Sequence, residues 1–195
     1  MNSSKLWNDS FDGLRGIPGF HILLPLAMAI VSLLGIWQNF EQRFIYPQKF
    51  SSLVEEYAAE YALEPALLYA VIRTESAFLP DAVSEAGAKG LTQIMPETFE
   101  WLQTKTGETL ATEALHEPRV SIRYSALFLH LLQEEFSETE TVLAAYHAGR
   151  TRVNGWLDDR EISPDGKTLA QIPTPKTAHY VYKVTRALKK YESLY

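Results

Sequence analysis

Cysteine is absent from the 195 residues, which excludes disulfides and thiolate chemistry but leaves the compartment open, since an exported protein can do without them. The five histidines, His21, His116, His130, His147 and His179, are scattered with no i, i+4 pair, and the acids form no calcium loop, so no metal is expected. No cofactor is expected either. Gly87-Ala-Lys-Gly90 lacks the strand context that a phosphate-binding or dinucleotide loop requires. Formal net charge is −6 with no long run of one sign, and Arg150 with Arg152 is too small a basic stripe for nucleic acid. Recognition therefore has to come from a shaped groove rather than from bulk attraction. Convincing period-two alternation is also missing, so at most a minor strand is expected.

What is present begins with an apolar stretch from Ile17 to Trp37 in which His21 is the one residue able to carry charge. It is close to the ~20 residues that span a bilayer, with Trp37 as an interfacial residue. A buried helix of a soluble bundle, weakened by Pro18 and Pro25, and a cleaved secretory signal are the alternatives. The small-residue triplet of such a signal, Ala27-Met28-Ala29, lies in mid-run with apolar residues continuing after it, so an uncleaved signal anchor is the favoured reading. Lys5 and Arg15 are offset by Asp9 and Asp12 and say little about orientation. The expected organisation is a tail over 1–16, a transmembrane signal anchor over 17–37, a linker over 38–47 and one globular domain over 48–195. About 150 residues suffice for a single domain with its own core.

That domain reads as mainly α. Leu53 to Ala62 is amphipathic, and Pro65, Pro96 and Pro118 each suit the first turn of a helix. The Pro96 helix carries Phe99, Trp101 and Leu102 and closes near Gly107. The Pro118 helix places Val120, Tyr124, Leu127 and Leu131 on one stripe. Ser137-x-x-Glu140 reads as a capping box for a helix running to Gly149. Residues 158–175 are a loop, and a last helix from about Lys176 puts Val181, Val184, Leu188 and Tyr191 on one face.

In the Pro65 helix, Leu68, Val71, Ile72 and Glu75 fall at i, i+3, i+4 and i+7, so a carboxylate continues an apolar stripe. Burial there raises its pKa from the ordinary ~4.3 and suits an acid that holds its proton near neutrality. A structural glutamate paired with Arg73 is the plainer alternative. Downstream, Ser84-Glu-Ala-Gly87-Ala-Lys-Gly90-Leu-Thr-Gln93-Ile-Met95-Pro96-Glu-Thr98 is a polar loop that returns Ser84 and Gln93 toward Glu75, with Gly87 and Gly90 permitting positive φ or close backbone approach. Glycosidic cleavage ordinarily uses a second carboxylate. Asp81 and Glu85 are near in sequence, but nothing in the spacing sets either opposite Glu75.

Glu75-Ser76, this loop, Ala145-Tyr146-His147-Ala148-Gly149 and Tyr180-Val181, taken in order, resemble the catalytic core of the lytic transglycosylases of the soluble Slt type, over roughly residues 47 to 195. The resemblance implies a lysozyme-like helical domain, here behind an N-terminal membrane-anchor helix in a bacterial cell membrane, single-pass, with the catalytic domain outside the cytoplasm. It implies cleavage of the β-1,4 bond between N-acetylmuramic acid and N-acetylglucosamine in peptidoglycan glycan strands. Glu75 would protonate the leaving oxygen while the muramyl N-acetyl group stabilises the cationic centre. Acting next as base toward the C6 hydroxyl, Glu75 would leave a 1,6-anhydromuramyl end. By the same resemblance Ser84 and Gln93 bond the substrate, Met95 lines the groove, Tyr146 holds or orients Glu75, and His147 and Tyr180 belong to the substrate site. His147 replaces the family's asparagine, Thr92 its methionine, and Ser121 and Ser125 its asparagine and glycine. Phe128 stands where tyrosine is frequent, and Lys176-Thr-Ala178 replaces Glu-Thr-Arg. An imidazole at 147 predicts a pH-dependence near 6.5. Two other functions share the groove: a wall-binding or scaffold protein without turnover, and a hydrolytic muramidase.

Overall fold

The computed structural model describes residues 20–195, with side chains in the first helix given at Ile22 and from Pro25 onward. Contacts divide the chain at Pro47/Gln48 into two units. The first contains helix α1, Phe20–Phe40, followed by a π-helical turn over Glu41–Ile45. Its large apolar side chains are exposed on all sides, Ile22 at 73%, Val31 at 69%, Leu34 at 62% and Trp37 at 57% among them. The described part of the helix ends at Phe40, three residues past the expected end at Trp37, and Ile17 to Gly19 lie outside the described residues. A single pass through a bilayer is not established by it: among the described residues no helix is long and apolar enough to cross a membrane. The run from Pro25 to Phe40 is about 24 Å long, against a hydrocarbon core of about 30 Å.

The second unit is helical throughout, built from α2 (Ser51–Glu60), α3 (Pro65–Ser76), α4 (Pro96–Thr106), α5 (Pro118–Glu135), α6 (Thr139–Ala148), α7 (Arg150–Asp158) and α8 (Pro175–Leu194). Proline opens α3, α4, α5 and α8. Its fixed φ suits the first turn, and the extended residue before each one stops the helix from starting earlier. Helix α6 starts differently from expectation. Glu138 is its N-cap, with no side-chain capping bond, so the Ser137 box does not form. Helix α7, joined to α6 through Gly149, has no counterpart in the periodicity, because only Val153 and Leu157 of its nine residues are buried.

Helix α3 is the centre of this unit. Leu67 through Ile72 are buried on successive positions, so the helix is enclosed on every side rather than along one stripe. Fully burying Leu68, Val71 and Ile72, each 0% exposed, contributes roughly 1.5–3 kcal/mol apiece. Its main partner is α8, whose buried face of Thr177, Tyr180, Val181, Val184, Ala187 and Tyr191 also receives α6. Helix α5 supports α2, α4 and α6. Nine of its eighteen residues are buried, a wider face than the expected stripe, in which Val120 and Leu131 prove only partly covered. Strand structure is limited to isolated bridges, Val83 with Lys89 and Lys89 with Ile94, inside the loop after α3.

Candidate active site

The loop from Ala77 to Met95 is held in place by backbone geometry before any ligand is considered. Helix α3 ends as Ala77 and Phe78 both adopt left-handed conformations, at φ 50° and 65°. Ser76 closes that end: its hydroxyl donates to the carbonyl of Leu91 at 2.8 Å and receives the Leu79 N–H at 3.2 Å. The residue beside the glutamate is therefore the clamp that ties the loop to α3. Gly90, at φ +79°, donates its N–H to Ala82 O and passes so close to Leu115 that a Cβ would lie 2.0 Å from that carbonyl oxygen. Gly87, at φ +90°, has open space around it.

The folded loop, α3, α5, α6 and the start of α8 enclose a cleft of about 340 Å3. Glu75, Ser84, Gln93, Met95, Tyr146 and His147 all line it, together with Phe128 and Lys176. Asp81 and Glu85 do not line it and are exposed, so Glu75 is the one carboxylate among the described residues on its wall. Glu75 remains reachable from the cleft but is otherwise surrounded by protein. Burial pushes its pKa up to about 7, against smaller opposing pulls from Tyr180 and Lys183. The carboxyl thus keeps its proton well above the ordinary carboxylate range.

Seven residues were singled out from sequence, and the structure gives each a specific setting. The Ser84 hydroxyl accepts the Ala88 N–H at 3.0 Å, leaving its own O–H to donate elsewhere. The Gln93 amide group donates to the carbonyls of Ala82 and Gly90, both at 3.0 Å, which leaves its oxygen for a ligand. Met95 precedes Pro96 as the N-cap of α4 and stands on the cleft wall. Tyr146 lies near enough to Glu75 for the carboxylate to raise its pKa, after burial as the main cause. Its hydroxyl is nevertheless committed elsewhere, donating to Thr92 O at 2.9 Å and meeting Ser125 Oγ at 3.0 Å.

Tyr180 is the tyrosine that addresses Glu75. It is 7% exposed, and its hydroxyl lacks a partner of conventional hydrogen-bond geometry. The O–H still approaches the carboxyl closely enough to favour its ionised form. Such loose contacts are common in ligand-free sites and tighten when the site fills. Replacing Tyr180 by phenylalanine removes that pull, so the Glu75 pKa rises further. The basic limb of a rate-versus-pH curve is expected to move to higher pH, with the maximal rate reduced about tenfold. An unmoved limb would show that Tyr180 only packs.

His147 stacks on the Tyr180 ring, with centroids 4.5 Å apart, and its Nδ1 meets Thr177 Oγ1 at 3.1 Å. Burial, and secondarily Lys176, lower its pKa below 6.5. The expected pH effect of this imidazole therefore moves to the acid side. If the site is catalytic, His147→Asn and the parent protein are expected to give coincident curves at pH 7 and above and to separate only below 6.5, in a rate-versus-pH comparison. Separation at pH 8 would count against it.

Comparison with known proteins bears on this arrangement. Residues 52–168 match the Transglycosylase SLT domain. The chain belongs to the transglycosylase SLT family. A membrane-bound lytic murein transglycosylase C of Actinobacillus pleuropneumoniae serotype 5b is 32% identical over 168 residues, covering 74% of this chain and 46% of that protein. The soluble lytic murein transglycosylase of Escherichia coli K12 is 29% identical over 157 residues, covering 76% of the chain and 23% of the enzyme. The chain thus spans less than half the length of either relative. Among solved structures, the 70 kDa soluble lytic transglycosylase of E. coli superimposes with a TM-score of 0.71 at 26% identity, over 82% of this chain and 26% of the other. Lytic transglycosylase Slt of Pseudomonas aeruginosa, solved as an inactive glutamate-to-glutamine mutant, gives 0.67 at 30% identity, over 79% and 25%. The lysozyme-like fold of the Slt enzymes is therefore shared.

Thr92, Ser121, Ser125 and Phe128, the positions at which the sequence departs from the pattern it resembles, adjoin Tyr146 or one another. Thr92 and Ser121 are both buried; their hydroxyls meet at 3.0 Å, and Thr92 Oγ1 lies 3.2 Å from the Ser121 carbonyl. Ser125 bonds Tyr146, and Phe128 packs on the Tyr146 ring at 5.1 Å. The buried hydroxyls are satisfied, Thr92 and Ser121 by each other and Ser125 by Tyr146. That removes the physical ground for reading them as decay of the site.

Proposed function

We propose that this chain cleaves peptidoglycan glycan strands as a lytic transglycosylase, with Glu75 as acid and then base. The observation that carries the reading is a lone carboxyl, held near pKa 7, on the wall of a cleft whose remaining lining is neutral apart from Lys176. A two-carboxylate glycosidase needs a second acid about 5–9.5 Å away, and no second acid lines the cleft. The cation left when the glycosidic oxygen departs therefore needs stabilisation from the substrate, and the muramyl N-acetyl group has the chemistry to give it. Glu75 protonates the leaving oxygen of N-acetylglucosamine. Then, ionised and held by Tyr180 and Lys183, it removes the proton of the muramyl C6 hydroxyl as that oxygen closes on C1. The 1,6-anhydro ring forms and the acid is regenerated. Ser84 donates a hydrogen bond to the sugar, the Gln93 oxygen accepts one, and Met95 and His147 shape the walls.

The decisive experiment digests purified peptidoglycan with the full chain and weighs the muropeptides. Products one water lighter than hydrolysed ends support the proposal. Hydrated ends indicate a muramidase, and an unchanged polymer indicates a binding module; either outcome replaces this reading.

We also propose that α1 anchors the protein in the bacterial membrane, with residues 48–195 as the catalytic unit outside the cytoplasm. Support comes from the apolar side chains exposed along its described length and from the absence of Asp, Glu, Lys and Arg between Ile17 and Phe40. The full chain should sediment with membranes after alkaline extraction, while residues 48–195 alone should not.

A further inference from the structure

Within the second unit, a cavity of about 410 Å3 opens at the end of α3 remote from Glu75. Pro65, the first residue of that helix, lines it, about 15 Å along the axis from the acid, and no described residue lines both this cavity and the catalytic cleft. Three carboxylates border it, Glu55 of α2, Glu64 at the N-cap of α3 and Glu192 of α8, and among the described residues no basic side chain does. All three are exposed, and none has an ion-pair partner among the described residues. The helix ends do not decide the charge, since the N-terminus of α3 contributes partial positive charge and the last turn of α8 partial negative charge of similar size. The carboxylates do.

The inner wall points independently to a ligand. Tyr69 is 2% exposed, lines the cavity, and has a hydroxyl without a hydrogen-bond partner. Burial and then the Glu55 carboxylate push its pKa up to about 12, which puts the O–H on the side of the ring that faces the acids. Buried hydroxyls ordinarily have partners. Tyr69 stacks on Tyr191 at 5.2 Å and Tyr191 on Tyr195 at 6.1 Å, all three on the lining, so the rest of this wall is ring surface suited to methylene and ammonium groups. A metal ion does not fit: among the described residues no three acid or histidine side chains are gathered so that they could hold one.

We propose that this cavity binds a linear polyamine, an alkyl chain that brings an ammonium group to each carboxylate and donates one N–H to the Tyr69 oxygen. A single lysine side chain would leave two of the three acids uncompensated. The volume lies in the range of small-molecule sites, about 300–1,000 Å3, and the methylene segments of such a chain cover tyrosine rings while its charges stay at the acidic rim. The site stands apart from the glycan cleft and does not depend on the chemistry there.

The test is calorimetric titration of the full chain with spermidine, putrescine, magnesium chloride and tetralysine at one ionic strength. Spermidine is expected to bind about tenfold tighter than putrescine, which carries one ammonium fewer, and magnesium to bind more weakly than either. Tyr69→Phe removes only a hydroxyl that has no partner, so the variant should fold at least as stably as the parent while losing about tenfold in spermidine affinity, the size of one hydrogen bond to a charged group. Glu55→Gln combined with Glu192→Gln should lose about tenfold as well. Magnesium binding as tightly as spermidine, no binding of spermidine, or either variant binding it as the parent does overturns the assignment. Tetralysine binding tighter than spermidine also overturns it and makes the occupant a basic protein segment.

Discussion

Glu75→Gln is expected to lower strand cleavage by at least about 10³-fold, in the range associated with losing a general acid and base, and at the same time to make the protein more stable above pH 7. The second half follows from the shift of the carboxyl. In the unfolded chain it loses its proton near 4.5, whereas in the fold burial holds the proton until about 7. Between those values the folded state binds more protons than the unfolded one, so stability falls as pH rises, and the full deficit is present above pH 7. The shift corresponds to about 3 kcal/mol at most. That cost is smaller than the contribution of Leu68, Val71 and Ile72 along the same helix, which is how an ionisable group is tolerated there. Glutamine fills the same space without titrating. Thermal unfolding of parent and variant should nearly coincide at pH 4 and separate by several degrees at pH 8, with the variant higher. A separation of equal size at both pH values would mean that Glu75 does not carry the shifted proton.

Gly90→Ala is expected to be the most damaging single-methyl change in the second unit. The added Cβ would lie 2.0 Å from the Leu115 carbonyl oxygen and 2.9 Å from its carbonyl carbon, both backbone atoms that cannot rotate away. Positive φ adds about 1 kcal/mol or more for any residue with a Cβ. Displacing the loop would also strain the Gly90 N–H bond to Ala82 and the Gln93 amide bond to Gly90 O. A loss of about 4 kcal/mol or more places this substitution in the tail of single-mutation effects. Gly87→Ala is the internal control: similar φ, no nearby atoms, and an expected loss of about 1–2 kcal/mol. Chemical denaturation of both variants reads the difference. Equal midpoints would show that the loop moves away from Leu115 at little cost.

Much of the fold was legible because its signals are local. Proline at the first turn announced α3, α4 and α5, and a glycine after Thr106 ended α4, since both act through the φ of one residue. Apolar spacing placed Glu75 among core side chains for the same reason: periodicity on one helix states which neighbours a side chain shares. The weaker signals failed where tertiary contact outweighs them. A short amphipathic piece such as α7 carries too few buried residues to register, and the breadth of the α5 face reflects three helices packing on it, which no stripe on α5 alone encodes.

The chemistry of the cleft divides along the same line. That a glutamate would be sheltered, followed by a loop bent at two glycines, could be read from the order of residues. Which hydroxyl would face it could not. Tyr146 and Tyr180 both stand in recognisable surroundings, yet the first is occupied by Thr92 and Ser125 and the second approaches the carboxyl from α8, more than a hundred residues away in the chain. Likewise Ser76, adjacent to the acid and unremarkable by composition, acquires its clamp role only when Leu91 is brought back to the end of α3. Spacing along a chain dictates the direction of a side chain on its own helix; the partner it meets depends on how helices cross, and that is settled by the packing of α3 against α8 and α5.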